Sequence, residues 1–128
     1  IFSNNGTIAG HVTVGDHAIM GGLTAVHQFC RIGAHAITGG CSKIVQDIPP
    51  YMIADGNHGK VRAINTLGLS RRGFSEEAVL AIKKAHRILY REKRNYREAV
   101  GILREETDRL PEVDLLIDFV EKSERGIS

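Results

Sequence analysis

An aliphatic or similar residue recurs at every sixth position through the first part of the chain: Phe2, Ile8, Val14, Met20, Val26, Ile32, Thr38 and Ile44. A second series runs four residues behind it, Gly6, Val12, Ala18, Thr24, Cys30, Ala36, Ser42 and Ile48, and is small at every member but the last. A helix repeats every 3.6 residues and a strand every two, so neither element alone explains a sustained period of six. The pattern predicts hexapeptides wound into a parallel β-helix, three to a coil. Residues eighteen apart then lie directly above one another, at about the 4.8 Å spacing of paired strands. The aliphatic series fills the interior, and the small series lets the chain bend. Eight hexapeptides make fewer than three coils, whereas such solenoids need three or more units and a cap. A C-terminal portion of a longer protein is therefore expected.

The period stops near residue 48, and the charge pattern changes soon after. Residues 1–58 hold two Lys/Arg and three Asp/Glu, while residues 59–128 hold fifteen and twelve. Two regimes follow: the last β-helix coils with an exit loop over 1–58, and a connecting loop with a helical domain over 59–128. Pro49-Pro50 cannot donate ladder hydrogen bonds, so the β-helix is expected to end at Ile48, with YMIADGNHGKVRAIN crossing back as a loop. Ser75, followed by Glu76 and Glu77, reads as a helix N-cap. Apolar spacing at Val79, Ile82, His86 and Leu89 predicts a first helix to about Glu92. A second is expected over Tyr96 to Leu110. A third starts at Pro111 as its N1 residue and stops near Gly126.

A net charge of +2 gives no argument for nucleic acid, and no run of 18 apolar residues exists to cross a membrane. The start, IFSNNG, shows no basic n-region or cleavage site. Two cysteines, Cys30 and Cys41, are too few for a disulfide framework, which points to a reducing cytoplasm. Cys30 belongs to the interior series and Cys41 to an outward column. Several histidines are present without a compact ligand motif, so no metal is expected.

Three stretches carry a closer resemblance: NNGTIAGHVTVGDHAIMGGLTAVHQFCRIGAH, GGCSKIVQDIPPYMIADGNHGKV and NTLGLSRRGFS. Together they resemble the bacterial UDP-N-acetylglucosamine 3-O-acyltransferases of lipid A biosynthesis, a branch of the hexapeptide-repeat acyltransferases. The likeness spans nearly the whole chain. It implies a left-handed β-helix followed by a three-helix domain, a cytoplasmic homotrimer, and transfer of an (R)-3-hydroxyacyl chain from acyl carrier protein to the 3-hydroxyl of UDP-N-acetylglucosamine. No metal or organic cofactor enters that chemistry. The family's general-base histidine falls in a coil ahead of the stretch that matches Ile1, so this chain alone is expected to be inactive.

The resemblance also implies roles for individual residues. The Gly10 amide would stabilise an oxyanion, a job suited to a fixed donor with no side chain beside it. His11 would contact the substrate, and His27 with Gln28 would add an imidazole and an amide on the same wall. Gly40 matches the position that limits acyl length. His58, Asn65, Arg71 and Arg72 match residues near the nucleotide-sugar, where a guanidinium fork suits a diphosphate. Leu67 departs from relatives that carry an acidic residue at that point. His17 and His35, eighteen apart, read as a stacked, solvent-facing and structural ladder. Lys83, Lys84, Arg87, Arg91 and Arg94 form a basic stripe, either a solvated helix face or a surface that steers acidic acyl carrier protein. Two other enzyme readings remain, the related lipid A N-acyltransferase and a small-substrate hexapeptide acetyltransferase. A non-catalytic structural β-helix is the reading outside enzymology.

Overall fold

Four strand pairings carry the register that the six-residue period demands. The computed structural model describes residues 7–8, 12–22, 24–92, 95–124 and 126–128. Its first seven strands are two residues each: β1 (Thr7–Ile8), β2 (Thr13–Val14), β3 (Ile19–Met20), β4 (Ala25–Val26), β5 (Arg31–Ile32), β6 (Ile37–Thr38) and β7 (Lys43–Ile44). Thr7 pairs with Ala25, Thr13 with Arg31, Ile19 with Ile37 and Ala25 with Lys43, all parallel and all eighteen apart. The chain thus builds three walls in turn: β1-β4-β7, β2-β5, and a third that contains β3-β6.

Inside the walls, Met20, Val26, Ile32, Thr38 and Ile44 are each at most 3% exposed. The small series is equally enclosed: Ala18, Thr24, Cys30, Ala36 and Ser42. Thr24 and Ser42 are tolerated there because both hydroxyls donate to the Gly39 carbonyl, at 3.1 and 2.6 Å. Cys41 is exposed. The corners are tight enough to force left-handed backbone on residues with side chains, with φ of 59° at His17, 67° at Phe29, 60° at His35 and 59° at Cys41.

The expected exit loop is a pair of strands, so the wall continues past the prolines. β8 (Met52–Asp55) joins β6 in parallel, Ile37 opposite Ile53, and β9 (Lys60–Ile64) returns antiparallel to β8. Pro49 and Pro50 remove only their own donors, and two residues later the free edge of β6 is still available to pair. Met52 and Ala54, both fully buried, then add to the interior, while Gly56 at φ +98° makes the turn. The pairing offset falls from eighteen to sixteen across the Pro-Pro turn.

Four helices follow among the described residues, one more than the sequence predicts. α1 (Thr66–Arg71) is a short turn capped by Asn65; α2 is Glu76–Tyr90, α3 Tyr96–Arg104 and α4 Pro111–Glu121. Ser75 caps α2 by accepting the Ala78 amide at 3.0 Å, as expected. α3 ends six residues earlier than predicted, because Arg109 turns back to donate to the carbonyls of Arg104 and Glu106. α4 stops at Glu121 rather than near Gly126. Gly126 instead takes φ +80° in a tail whose carbonyl accepts the Asp47 amide at 2.9 Å.

Three contacts fasten the helices to the walls. The Tyr51 hydroxyl donates to the Glu112 carbonyl at 2.9 Å. The Arg31 guanidinium lies 4.1 Å from the centre of the Phe119 ring and donates to the Phe119 carbonyl. The buried Asp47 carboxylate accepts both the Arg31 amide, at 2.7 Å, and the Ser123 hydroxyl, at 2.6 Å.

Candidate functional site

The residues singled out from the sequence fall at different corners of the three-walled stack. Gly10 and His11 lie outside the described residues. His27 and Gln28 sit at the corner between β4 and β5, both exposed, with Phe29 beside them 58% exposed. The His27 amide donates to the Ile44 carbonyl of the next coil at 2.7 Å, which fixes the backbone and leaves the ring outside. Its Nδ1 lies 3.3 Å from the Gln28 carbonyl.

Gly40 occupies the next corner but one, after β6. A Cβ at Gly21 would lie 2.5 Å from the Gly40 nitrogen, and one at Gly39 would lie 2.9 Å from Asp55 Cβ. Bare backbone at 21 and 39 is therefore filled by the adjoining strands. Gly40 remains exposed, its nearest neighbour the Gly22 carbonyl at 3.3 Å from an added Cβ. His58 lies in the β8–β9 turn, exposed, next to Asn57, which bridges to Lys43 on the first wall.

Asn65, Arg71 and Arg72 do come together, in a cleft of about 370 Å³ at the corner between the second and third walls. His17, His35, Ile19 and Leu67 line it with them. Asn65 is 6% exposed and fully engaged: its Oδ1 accepts the Gly68 amide at 3.1 Å, and its Nδ2 donates to the His35 carbonyl at 3.0 Å. It therefore acts on the cleft by seating α1, which carries the two arginines. Gly68 leaves no room for a Cβ there, 2.3 Å from Asn65 Nδ2. Arg71 and Arg72 are exposed, and neither forms an ion pair with another described residue. Leu67, 62% exposed, adds an apolar rim.

His17 and His35 were assigned only a structural role by their spacing. Their rings stack as that spacing predicts, with centroids 5.0 Å apart and planes at 29°. The ladder is not simply solvent-facing: His35 is half-buried, stacks further toward Tyr51 at 6.3 Å, and takes the edge of Phe74 at 4.9 Å. Burial holds the His35 imidazole below its ordinary pKa; His17 and Arg72 add to this, and Asp16 opposes them. The eighteen-residue spacing was enough to find the stack. Its place beside Arg71 and Arg72 depends on how α1 folds back, and no local pattern encodes that.

A second cleft, of about 480 Å³, lies where α2 meets β9. Lys83, Lys84, Arg87 and Arg91 line it together with Ala63, Ile64 and Leu80. Lys84 pairs with Glu106 at 2.7 Å, and Arg87 lies 4.0 Å from Glu92. Arg94, the last member of the predicted stripe, lies outside the described residues. His86, buried at the edge of this cleft, is held below its ordinary pKa by burial and by Arg91.

Comparison with known proteins gives these clefts a context. Residues 47–128 match the family model described as UDP-N-acetylglucosamine O-acyltransferase, domain 2. The acyl-(acyl-carrier-protein):UDP-N-acetylglucosamine O-acyltransferase of Thiobacillus denitrificans is 50% identical over 127 residues, 99% of this chain and 49% of that protein. Its counterpart from Aliivibrio salmonicida is 46% identical, over 99% of this chain and 48% of that protein. Among solved structures, LpxA of Acinetobacter baumannii superposes with a TM-score of 0.94 at 38% identity, covering 98% of this chain and 49% of that one. The UDP-N-acetylglucosamine acyltransferase of Arabidopsis superposes at 0.92 with 32% identity, over 98% and 47% of the two chains. The chain spans about half the length of the curated relatives it matches.

Proposed function

This chain belongs to the UDP-N-acetylglucosamine O-acyltransferase family, and we propose that it supplies the C-terminal half of an enzyme that acylates the 3-hydroxyl of UDP-N-acetylglucosamine, the first step of lipid A biosynthesis. The donor is an (R)-3-hydroxyacyl thioester on acyl carrier protein. The sugar oxygen attacks the thioester carbonyl and forms the new C–O bond. The C–S bond breaks, and the thiol of the carrier leaves with the proton that a histidine ahead of Ile1 removes from the sugar. The role assigned to the Gly10 amide is to stabilise the developing oxyanion, that of His11, His27 and Gln28 to contact the polar end of the substrate, and that of Gly40 to leave room for the acyl tail. His58, Arg71 and Arg72 take the nucleotide-sugar, with Asn65 seating the arginines.

The observation that carries this reading is the cleft itself. Two arginines with no carboxylate partner among the described residues, at the end of a helix anchored by Asn65, form a site that a diphosphate neutralises. His27 and Gln28 stand at a different corner, so one chain does not present both halves to one substrate. A homotrimer of left-handed β-helices in the cytoplasm, each corner facing its neighbour, would join them. The outer face of the third wall favours such packing: Ile19, 42% exposed, Ile37 and Ile53 form an aliphatic row.

The intact protein is expected to transfer a 3-hydroxyacyl group from the carrier to UDP-N-acetylglucosamine, and residues 1–128 alone to show no turnover. Efficient turnover by residues 1–128 would show that the base lies within them. Transfer to the amine of an acylated glucosamine, with none to the hydroxyl, would favour the N-acyltransferase.

A further inference from the structure

The cleft that holds Arg71 and Arg72 contains two more basic side chains. His17 and His35 line it, each presented by a left-handed corner residue of successive coils, their rings stacked at 5.0 Å. Among the described residues no ring nitrogen of either makes a hydrogen bond, so that capacity is unused within the chain. The faces are already occupied: His35 has His17 on one side, Tyr51 further along the ladder, and the Phe74 edge against it. Rings held in this way have little rotamer freedom left to lose when an anion arrives.

We infer that the stacked imidazoles of His17 and His35 are anion-binding groups of this cleft, holding the diphosphate of a nucleoside-diphosphate sugar together with Arg71 and Arg72. The inference rests on the function proposed above, since that reading brings the diphosphate here.

The charges around the pair give it a definite pH dependence. Asp16, on the corner of His17 itself, is the acid that acts on His35. Arg71 and Arg72 face the pair from α1, Tyr51 from the ladder, and Glu112 acts on Tyr51 from α4. Burial, with His17 and Arg72, disfavours the charged form of the His35 imidazole. A bound diphosphate reverses that balance, so binding takes up protons. By linkage, affinity rises as pH falls, about tenfold for each unit by which the ligand raises a pKa.

The test is the affinity of the intact protein for UDP-N-acetylglucosamine, whose diphosphate diester does not titrate in this range, measured by calorimetry at pH 8, 7 and 6. Expected is a gain of about threefold or more on going from pH 8 to pH 6. His17→Phe keeps a ring in the stack and removes one imidazole, so it should lose a large part of the gain between pH 8 and pH 6. The C2 proton resonance of His35, followed by NMR, should titrate at higher pH with the sugar nucleotide bound. Affinity that does not vary with pH, or a His17→Phe variant that follows the wild-type curve, overturns the inference and leaves the proposed function standing. Absence of binding at every pH, or binding that Arg72→Ala leaves unchanged, overturns both.

Discussion

His27 can be bulky because of where the coil places it: the backbone is locked to Ile44 and the imidazole lies outside the wall. Removing an exposed ring with no buried partner changes stability by no more than about 0.5 kcal/mol. His27→Ala in the intact protein should therefore depress acyl transfer while thermal midpoint and oligomeric state hold; a variant that unfolds would make the ring a packing residue. His35 and His86 differ, because burial, with neighbouring cations adding to it, disfavours the charged form of both. Their folded pKa values lie below the unfolded value of 6.5, so the unfolded chain binds the extra protons. The stability they contribute is present above pH 6.5 and is lost as pH falls through the lower, folded values. The thermal midpoint should be flat from pH 8 to 7 and decline below 6.5, with a gentler decline in His86→Phe. An identical acid slope in that variant would remove His86 from the account. Residue types and spacing sufficed to locate His27 and the His17–His35 stack. They did not reveal that Asn65 is held by its own helix and by the His35 carbonyl, although an Asn three residues ahead of Gly68 is a local N-cap signal.

Among the elements, the seven short strands were legible because each sits in a strict period whose inward members are all apolar or small. β8 and β9 were missed because the prolines ahead of them look like a stop. What decides their pairing is the open edge of β6, a long-range feature with no local signature. α2 was legible at both ends, from Ser75 and from the buried row Val79, Ile82, His86 and Leu89. Its other face bears the basic cleft, where Lys83 and Arg91 form no ion pair with described residues. Cations beside exposed apolar side chains steer and then hold an acidic partner better than a solvated stripe does. Arg87→Glu with Arg91→Glu should raise the KM for the carrier-bound donor roughly tenfold or more at low salt, with kcat nearly unchanged, and the gap should narrow as salt rises. An unaltered KM would return the stripe to the role of solvated surface.

For the whole molecule, the decisive fact is that two corners carry two halves of the candidate site. His27 and Gln28 follow β4, whereas Arg71 and Arg72 stand beside His17 and His35, after β2 and β5. The six-residue period could have located both corners, since each residue's wall follows from its number. It could not have placed the arginines, because α1 reaches the corner only through the β8–β9 pair and the Asn65 anchor. In the homotrimer proposed above, one subunit's first corner would meet the next subunit's second. That arrangement makes a prediction no single-chain site shares. His27→Ala and Arg72→Ala subunits should each be impaired alone, yet when expressed together they should recover activity. With random mixing, a junction is intact only where an Arg72→Ala subunit offers its His27 corner to a His27→Ala neighbour. That recovers about a quarter of wild-type turnover, the product of two one-half probabilities around a closed ring. Activity that stays at the mean of the two variants would mean that each chain completes its own site, and that the corners are brought together by a fold-back within the chain rather than by a neighbour.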